Sequence, residues 1–367
     1  MNTKPRTGPA PLRDAPPADI TLAQLAEFDE IIDARSPSEF AEDHIPGAIN
    51  LPVLDDAERV LVGTTYKQAS AFDAKKIGAA LVARNIAGHL ERHCMGKPKN
   101  WRPLVYCWRG GSRSGAMAHI FNQVGWRATQ LAGGYKAYRR AVVAALDTLP
   151  THYRYRVICG LTGSGKSRLL QALEQQGAQV LDLEALAAHR GSVLGNLPDA
   201  PQPSQKMFDS LLWAALQRFD PERPVYVEAE SKKIGNLRVP DALLDAMWQH
   251  GQCVRLEVEA AARVGLLKEE YVHFLEQPEA LNAKLSCLTG LYGHEAIARW
   301  HALAQAGQWD ELVGELLQKH YDPAYSKSML RHYAHYAQGL VLYGSDLGEA
   351  GMAALARTIL EWPENPA

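Results

Sequence analysis

Short apolar runs alternate along this chain with stretches of helical periodicity. Residues 31–32, 104–106, 128–131, 156–159, 179–182, 224–228 and 252–258 are short runs centred on apolar residues and read as strands, with 104–106 and 224–228 buried. Helices follow several of them. Met117, Ile120, Phe121 and Val124 fall at i, i+3, i+4 and i+7, with Gly125 as the stop. Leu169, Leu170 and Leu173 share a face that ends at Gly177, and residues 206–219 carry Phe208, Leu211, Leu212, Ala215, Leu216 and Phe219 on one stripe. Strands alternating with helices predict an α/β fold with parallel sheets. From residue 259 the pattern is helical to the end: a charged helix, helices near 293–305 and 309–319, a Tyr/His-rich helix holding His332, Tyr333, His335 and Tyr336, and a last one near 350–361.

These patterns divide the chain. Residues 1–17, with Pro5, Pro9, Pro11, Pro16 and Pro17 and little apolar content, predict a disordered tail. A first α/β unit is expected over 18–145, a linker over 146–153, a second α/β unit over 154–258 and a helical extension over 259–367.

Composition changes this picture little. The chain has 367 residues, 47% apolar and 22% charged, as ordinary globular proteins do. A formal charge of −2 excludes a globally basic nucleic-acid binder, so any such contact must use a local patch. Residues 125–156 hold one: Arg139, Arg140, Arg154 and Arg156 are candidate contacts to a nucleic-acid phosphate backbone, against the alternative of a solvated helix face. No apolar run approaches the roughly 20 residues of a membrane span, and no secretory h-region is visible at the N-terminus. Cys94, Cys107, Cys159, Cys253 and Cys287 show neither disulfide nor zinc spacing, which suits a cytoplasmic protein and predicts no metal site of that kind.

Two stretches carry chemistry. In Val105-Tyr-Cys-Trp-Arg-Gly-Gly-Ser-Arg-Ser114 a strand delivers Cys107 to a glycine loop that opens a helix. Such a loop turns backbone N–H groups toward the sulfur, and Arg109 and Arg113 add positive potential. The alternative is a buried structural cysteine; Cys94 reads as an ordinary surface or packing cysteine in preference to a resolving thiol. The second stretch is Gly160-Leu-Thr-Gly-Ser-Gly-Lys-Ser167, a complete G-x-x-x-x-G-K-S between a strand and a helix. Gly160, Thr162, Gly163, Ser164 and Gly165 let amides converge on a diphosphate, Lys166 bridges its oxygens, and Ser167 is placed to hold a Mg²⁺. Glu228 ends the 224–228 strand as the acid of a Walker B strand does; Glu230, His189 and Arg190 are further supporting candidates.

Asp33-x-Arg35, Glu39-Phe40, His44-Ile-Pro-Gly-Ala48, the cysteine loop and Leu131-x-Gly-Gly134 together resemble a rhodanese domain over the whole first unit. Arg113 departs from it: six residues beyond the cysteine, it gives the C-x5-R spacing of cysteine phosphatases, a loop wide enough for a tetrahedral oxyanion such as selenophosphate. With the P-loop, His189-Arg-Gly-Ser192 and Glu230-Ser-Lys-Lys-Ile-Gly235, the motif order from about 20 to 340 resembles the tRNA 2-selenouridine synthase family. That resemblance implies conversion of wobble 2-thiouridine in tRNA to 2-selenouridine with selenophosphate, through an S-geranyl intermediate made from geranyl diphosphate. It implies no tightly bound cofactor, and a selenophosphate-supplying enzyme as a partner. On it, Cys107 attacks selenophosphate or accepts selenium, while the P-loop holds geranyl diphosphate. Two other readings use one half of the chain each: a sulfurtransferase or cysteine phosphatase coupled to a nucleotide-binding domain, and a P-loop kinase with an idle rhodanese module.

Overall fold

A computed structural model describes residues 22–363, so the tail expected over 1–17 lies outside the described residues. The chain forms two compact units that divide between Ala141 and Val142.

The first unit is built on a four-stranded parallel sheet in the order β2-β1-β3-β4, with β1 at Glu30–Asp33, β2 at Ile49–Asn50, β3 at Pro103–Tyr106 and β4 at Thr129–Gln130. All four residues of β3 are buried, because it lies between β1 and β4 under helices. Between β2 and β3 stand two helices, Asp56–Gln68 and Ala71–His89, each started by a side-chain cap from Asp55 or Ser70. Helix Ser112–Val124 buries Met117, Ala118 and Phe121 against Trp101, and leaves the expected Val124 exposed. Beside β1, the Arg35 guanidinium grips Asp33 at 2.6–3.1 Å, donates to the Asp43 carbonyl at 2.6 Å and lies 3.8 Å over the Tyr135 ring. Asp33 and Arg35 are fully buried, so this motif braces the floor of the first unit.

The second unit has a five-stranded parallel sheet in the order β11-β10-β5-β7-β6. Its strands are β5 (Tyr155–Cys159), β6 (Gln179–Leu181), β7 (Val225–Glu228), β10 (Gln252–Glu257) and β11 (Leu340–Tyr343), while β8 (Lys233–Ile234) and β9 (Leu237–Arg238) form a small hairpin. Central β5 delivers its carboxyl end to the P-loop, and helix Lys166–Gln175 follows, packing Leu169, Leu170 and Leu173 against Met352, Ala356 and Ile359 of helix Glu349–Glu361. Residues 260–332 form a helical layer whose buried centre is Trp300, ringed by Phe274, Leu281, Leu312 and Leu316. A one-turn helix, Leu149–His152, occupies the stretch read as a linker.

Three details differ from the sequence reading. The C-terminal region is helical but contributes an edge strand, β11, beside β10. The Tyr/His-rich helix stops at His332: Tyr333 leaves helical geometry and turns into the core, donating to the Glu230 carbonyl at 3.1 Å. Arg156 is not a surface cation. It is 3% exposed, and it donates to Tyr226 Oη and to the carbonyls of Ile359 and Trp362, capping the last helix from within, so it is removed from the tRNA candidates.

Candidate functional site

The cysteine loop begins where β3 ends. Gly110 and Gly111 sit at φ 76° and 72°, a left-handed pair that reverses the chain so that helix Ser112–Val124 starts directly beside the sulfur. The loop is held from below by a second helix start. Tyr135 and Lys136 N–H groups donate to the carbonyls of Cys107 and Trp108 at 2.8 and 3.0 Å. A Cβ on Gly134 would stand 2.4 Å from the Cys107 carbonyl oxygen, so only glycine permits this approach. Cys107 is 2% exposed. Its Sγ accepts a hydrogen bond from Ser114 Oγ at 3.3 Å, and Ser114 Oγ in turn accepts from Gln130 Nε2 at 2.9 Å. Gln130 also donates to the Gly111 carbonyl at 3.0 Å, tying β4 to the loop.

The loop arginines differ. Arg109 is exposed. Arg113 is engaged by Glu39, with Nη1 to Oε2 at 2.8 Å, and Arg59 approaches the same carboxylate at 2.9 Å. Burial works against the Glu39 charge, but Arg113 and Arg59 hold its carboxyl below the ordinary value. The expected oxyanion role of Arg113 therefore competes with a pairing across the unit.

In the second unit, Gly163 and Gly165 take φ 80° and 82°, and a Cβ at Gly160 would meet Ser164 Oγ at 2.4 Å. Lys166 Nζ donates to the Gly160 carbonyl at 2.9 Å and lies 5.4 Å from the Tyr325 ring centre. Gly160 N–H donates to Tyr325 Oη at 2.7 Å, which anchors the loop to helix Asp322–His332. Ser164 Oγ is buried without a hydrogen-bond partner. Ser167 Oγ donates to Glu184 Oε2 at 3.2 Å.

Behind the loop stands a bank of carboxyls from the carboxyl ends of β6 and β7. Glu228 Oε1 accepts from the Glu184 amide at 2.7 Å, while its Oε2 is buried and unpartnered. Burial pushes all three acids up, and neighbouring carboxylates add to it (Asp182 and Glu270 on Glu184; Asp182, Glu184 and Glu230 on Glu228; Glu184 on Glu230): Glu184 rises, Glu228 rises well above the carboxylate range and Glu230 reaches about 8. Lys166 offsets part of this for Glu184 and Glu230. Gly191 fits between the acids, where a Cβ would be 2.6 Å from Glu184 and 2.8 Å from Glu230.

An open cleft of about 1880 Å³ of free space, counting its mouth, collects Lys166, Ser167, Glu184, His189, Arg190 and Glu230. The candidates from distant stretches are thus brought together, with Glu228 one layer behind. Arg190 Nη1 donates to the Glu270 carbonyl at 2.7 Å and lies 4.8 Å over Tyr271. Burial lowers the His189 basicity, with Lys284 adding to the effect, and its Nδ1 has no partner. Of the remaining basic candidates, Arg140 is exposed, Arg139 half-buried and Arg154 bonded to the Glu222 carbonyl.

Sequence reasoning left Glu184, Tyr325, Glu270 and Tyr271 out of the second site, and Ser114, Gln130 and Glu39 out of the first. Glu184 had a local signal, standing just past a strand's carboxyl end. Ser114 stood within the quoted cysteine loop without an assigned role, and Gln130 had no signal, since its contact to Ser114 needs the β3–β4 pairing. Among the described residues no group of three or more His, Cys, Asp or Glu side chains is arranged to hold a metal by itself, and no helix is long and apolar enough to cross a membrane.

Fold and sites define a two-part class of protein: a rhodanese-like unit presenting a loop cysteine, followed by a P-loop unit. The profile of the rhodanese-like domain matches residues 18–141, and that of the tRNA 2-selenouridine synthase AAA domain matches residues 153–290. A tRNA 2-selenouridine synthase of Hydrogenovibrio crunogenus is 31% identical over 336 residues, covering 82% of this chain and 89% of the relative. That of Shewanella denitrificans is 33% identical over 333 residues, covering 80% and 87%. That of Nitrosomonas europaea is 36% identical over 258 residues, covering 69% of this chain and 66% of the relative, just under two thirds of its length. The chain belongs to the tRNA 2-selenouridine synthase family.

Proposed function

We propose that this protein converts 2-thiouridine at the tRNA wobble position to 2-selenouridine, by way of an S-geranyl intermediate, with geranyl diphosphate and selenophosphate as co-substrates. The observation that carries this reading is that one chain holds both a buried cysteine in a glycine loop at a helix start and a P-loop facing an open cleft. Single-site readings leave one of these idle.

The first step places the diphosphate of geranyl diphosphate on the amides of 163–167, with Lys166 neutralising its oxygens. The thiouridine sulfur attacks the geranyl C1, the C1–O bond breaks and pyrophosphate leaves. Inorganic Mg²⁺ fits as a companion of that diphosphate: Ser167 would hold it, with phosphate oxygens supplying other ligands, and it would neutralise leaving-group charge. Alkylation turns the uridine sulfur into a thiolate leaving group.

In the second step Cys107 Sγ attacks the phosphorus of selenophosphate. An S–P bond forms, the P–Se bond breaks, and the released selenide adds to C2 of the base as geranylthiol departs. Water then hydrolyses the S–P bond and returns Cys107. The loop amides and Arg109 face the phosphoryl oxygens in this scheme. Arg139 and Arg140 are proposed backbone contacts for tRNA, and an enzyme making selenophosphate is the proposed upstream partner.

The two steps separate genetically. Lys166→Ala is expected to lower S-geranylation by about 100-fold or more, while Cys107→Ser still geranylates and makes no 2-selenouridine. A Cys107→Ser protein that selenates at the wild-type rate overturns the second step.

A further inference from the structure

A second, narrow apolar cleft of about 60 Å³ adjoins the P-loop. It is not part of the sheet. Helices Ala260–Glu270, Val272–Glu276, Pro278–Leu285 and Trp309–Leu316 supply its walls. Thr162 of the P-loop, Leu267, Tyr271 and Tyr321 line both this cleft and the polar one, so the two spaces meet at the diphosphate loop. At this junction Ser192 and Tyr271 hydroxyls lie 3.5 Å apart, so they satisfy one another. The other walls include Phe274, Leu281, Leu312 and Leu316, all members of the packed cluster around Trp300.

We propose that this cleft is the tail-binding half of the diphosphate site, so that the P-loop ligand is an isoprenoid diphosphate rather than a nucleotide. The proposal rests on the reading of the P-loop as a diphosphate site and adds where the tail lies and which residues select it. A purine with its ribose needs hydrogen-bond partners, and the apolar walls beyond the junction present few. A branched hydrocarbon needs none, and it gains from every carbon removed from water. The tail leaves the loop past Thr162, crosses between Tyr271 and Tyr321, and ends against Phe274 and Leu312. Those last contacts belong to a rigid core, so they set the tolerated chain length.

The test uses the full-length protein without tRNA. Calorimetric titrations compare inorganic pyrophosphate, geranyl diphosphate and ADP. Burying about half of a ten-carbon tail is expected to make geranyl diphosphate bind on the order of 100-fold tighter than pyrophosphate. Val313 and Leu275 line the cleft from half-buried positions on two different helices. Val313→Trp is expected to erase most of that difference while pyrophosphate affinity stays within about twofold; Leu275→Trp serves the same purpose should Val313→Trp melt early. Equal affinity of the wild type for pyrophosphate and geranyl diphosphate overturns the proposal, as does ADP binding tighter than geranyl diphosphate, or a tail-dependent gain that survives both tryptophans. Tail binding without turnover on thiolated tRNA would refute the tRNA reading alone. Turnover with tail-independent binding would refute the cleft alone.

Discussion

Ser114 Oγ donates to Cys107 Sγ at 3.3 Å while accepting from Gln130 Nε2 at 2.9 Å. The sulfur is thus tied to the first turn of the helix it precedes and, through that turn, to the neighbouring strand β4. That hydroxyl links the sulfur to β4, so on the proposed reading its loss should act on selenium transfer and not on the second unit. Ser114→Ala removes a bond of about 1 kcal/mol, and the expected result is a roughly fivefold slower selenation with unchanged S-geranylation. Parallel rates measured on pre-geranylated and on thiolated tRNA would check this; equal losses in both steps would contradict it.

The acid bank behind the P-loop gives a pH signature. Burial, with the Glu184 charge adding to it, lifts Glu230 from 4.5 to about 8. The folded protein holds a proton that the unfolded chain releases above its ordinary value. The stability contributed by that proton is fully present below about 4.5 and lost as pH rises through about 8. One such proton gives a slope of at most about 1.4 kcal/mol per pH unit. Thermal melts at pH 5.5 and 8 are expected to show a larger loss for the wild type than for Glu230→Gln, whose amide cannot ionise. Superimposable pH dependences would remove Glu230 as the proton holder.

Two cysteines outside the loop should behave as their burial dictates. Cys94 is packed in the first unit's core, and burial, aided by the charge on Glu30, pushes its thiol up to about 11. Cys287 is exposed. Iodoacetamide at pH 8 is expected to modify Cys287 on the native protein and Cys94 only after denaturation, read by peptide mass mapping. Native labelling of Cys94 at a comparable rate would restore it as a partner for Cys107.

Arg140 and Arg156 separate surface from core among cations that lie close in sequence. Arg156→Met leaves two helix-terminal carbonyls without a donor and is expected to cost about 2 kcal/mol in denaturant melts, with no change in the salt slope of tRNA binding. Arg140→Ala is expected to leave stability alone and to reduce that slope by about one. An Arg140→Ala protein with wild-type tRNA affinity at low salt would move the RNA surface elsewhere.

The sites were legible in proportion to how local they are. Gly160 to Ser167 and Val105 to Ser114 announce themselves because strand, loop and helix follow one another along the chain. Glu184 had only its place just past β6 as a signal, because its meeting with Ser167 depends on β6 lying beyond β7 in the sheet, an order that spacing does not fix. Arg156 was misread for a related reason: a run of cations can be counted in sequence, but not that Arg156 on β5 turns inward to the last helix while Arg140 lies exposed on helix Gly134–Leu146. β11 escaped notice because four residues, Leu340–Tyr343, become a strand only when β10 supplies the partner. The apolar cleft could not be placed either, since its walls are the inner faces of helices whose apolar stripes read as ordinary core.

The central claim is a two-step exchange on tRNA, and one experiment addresses it most directly. Purified protein is given tRNA bearing 2-thiouridine with geranyl diphosphate alone, with selenophosphate alone, or with both, and the digested nucleosides are weighed by mass spectrometry. The account expects S-geranyl-2-thiouridine with the first, unchanged 2-thiouridine with the second and 2-selenouridine with both. 2-Selenouridine formed from selenophosphate alone, or unchanged nucleoside in all three on fully thiolated tRNA, would contradict it.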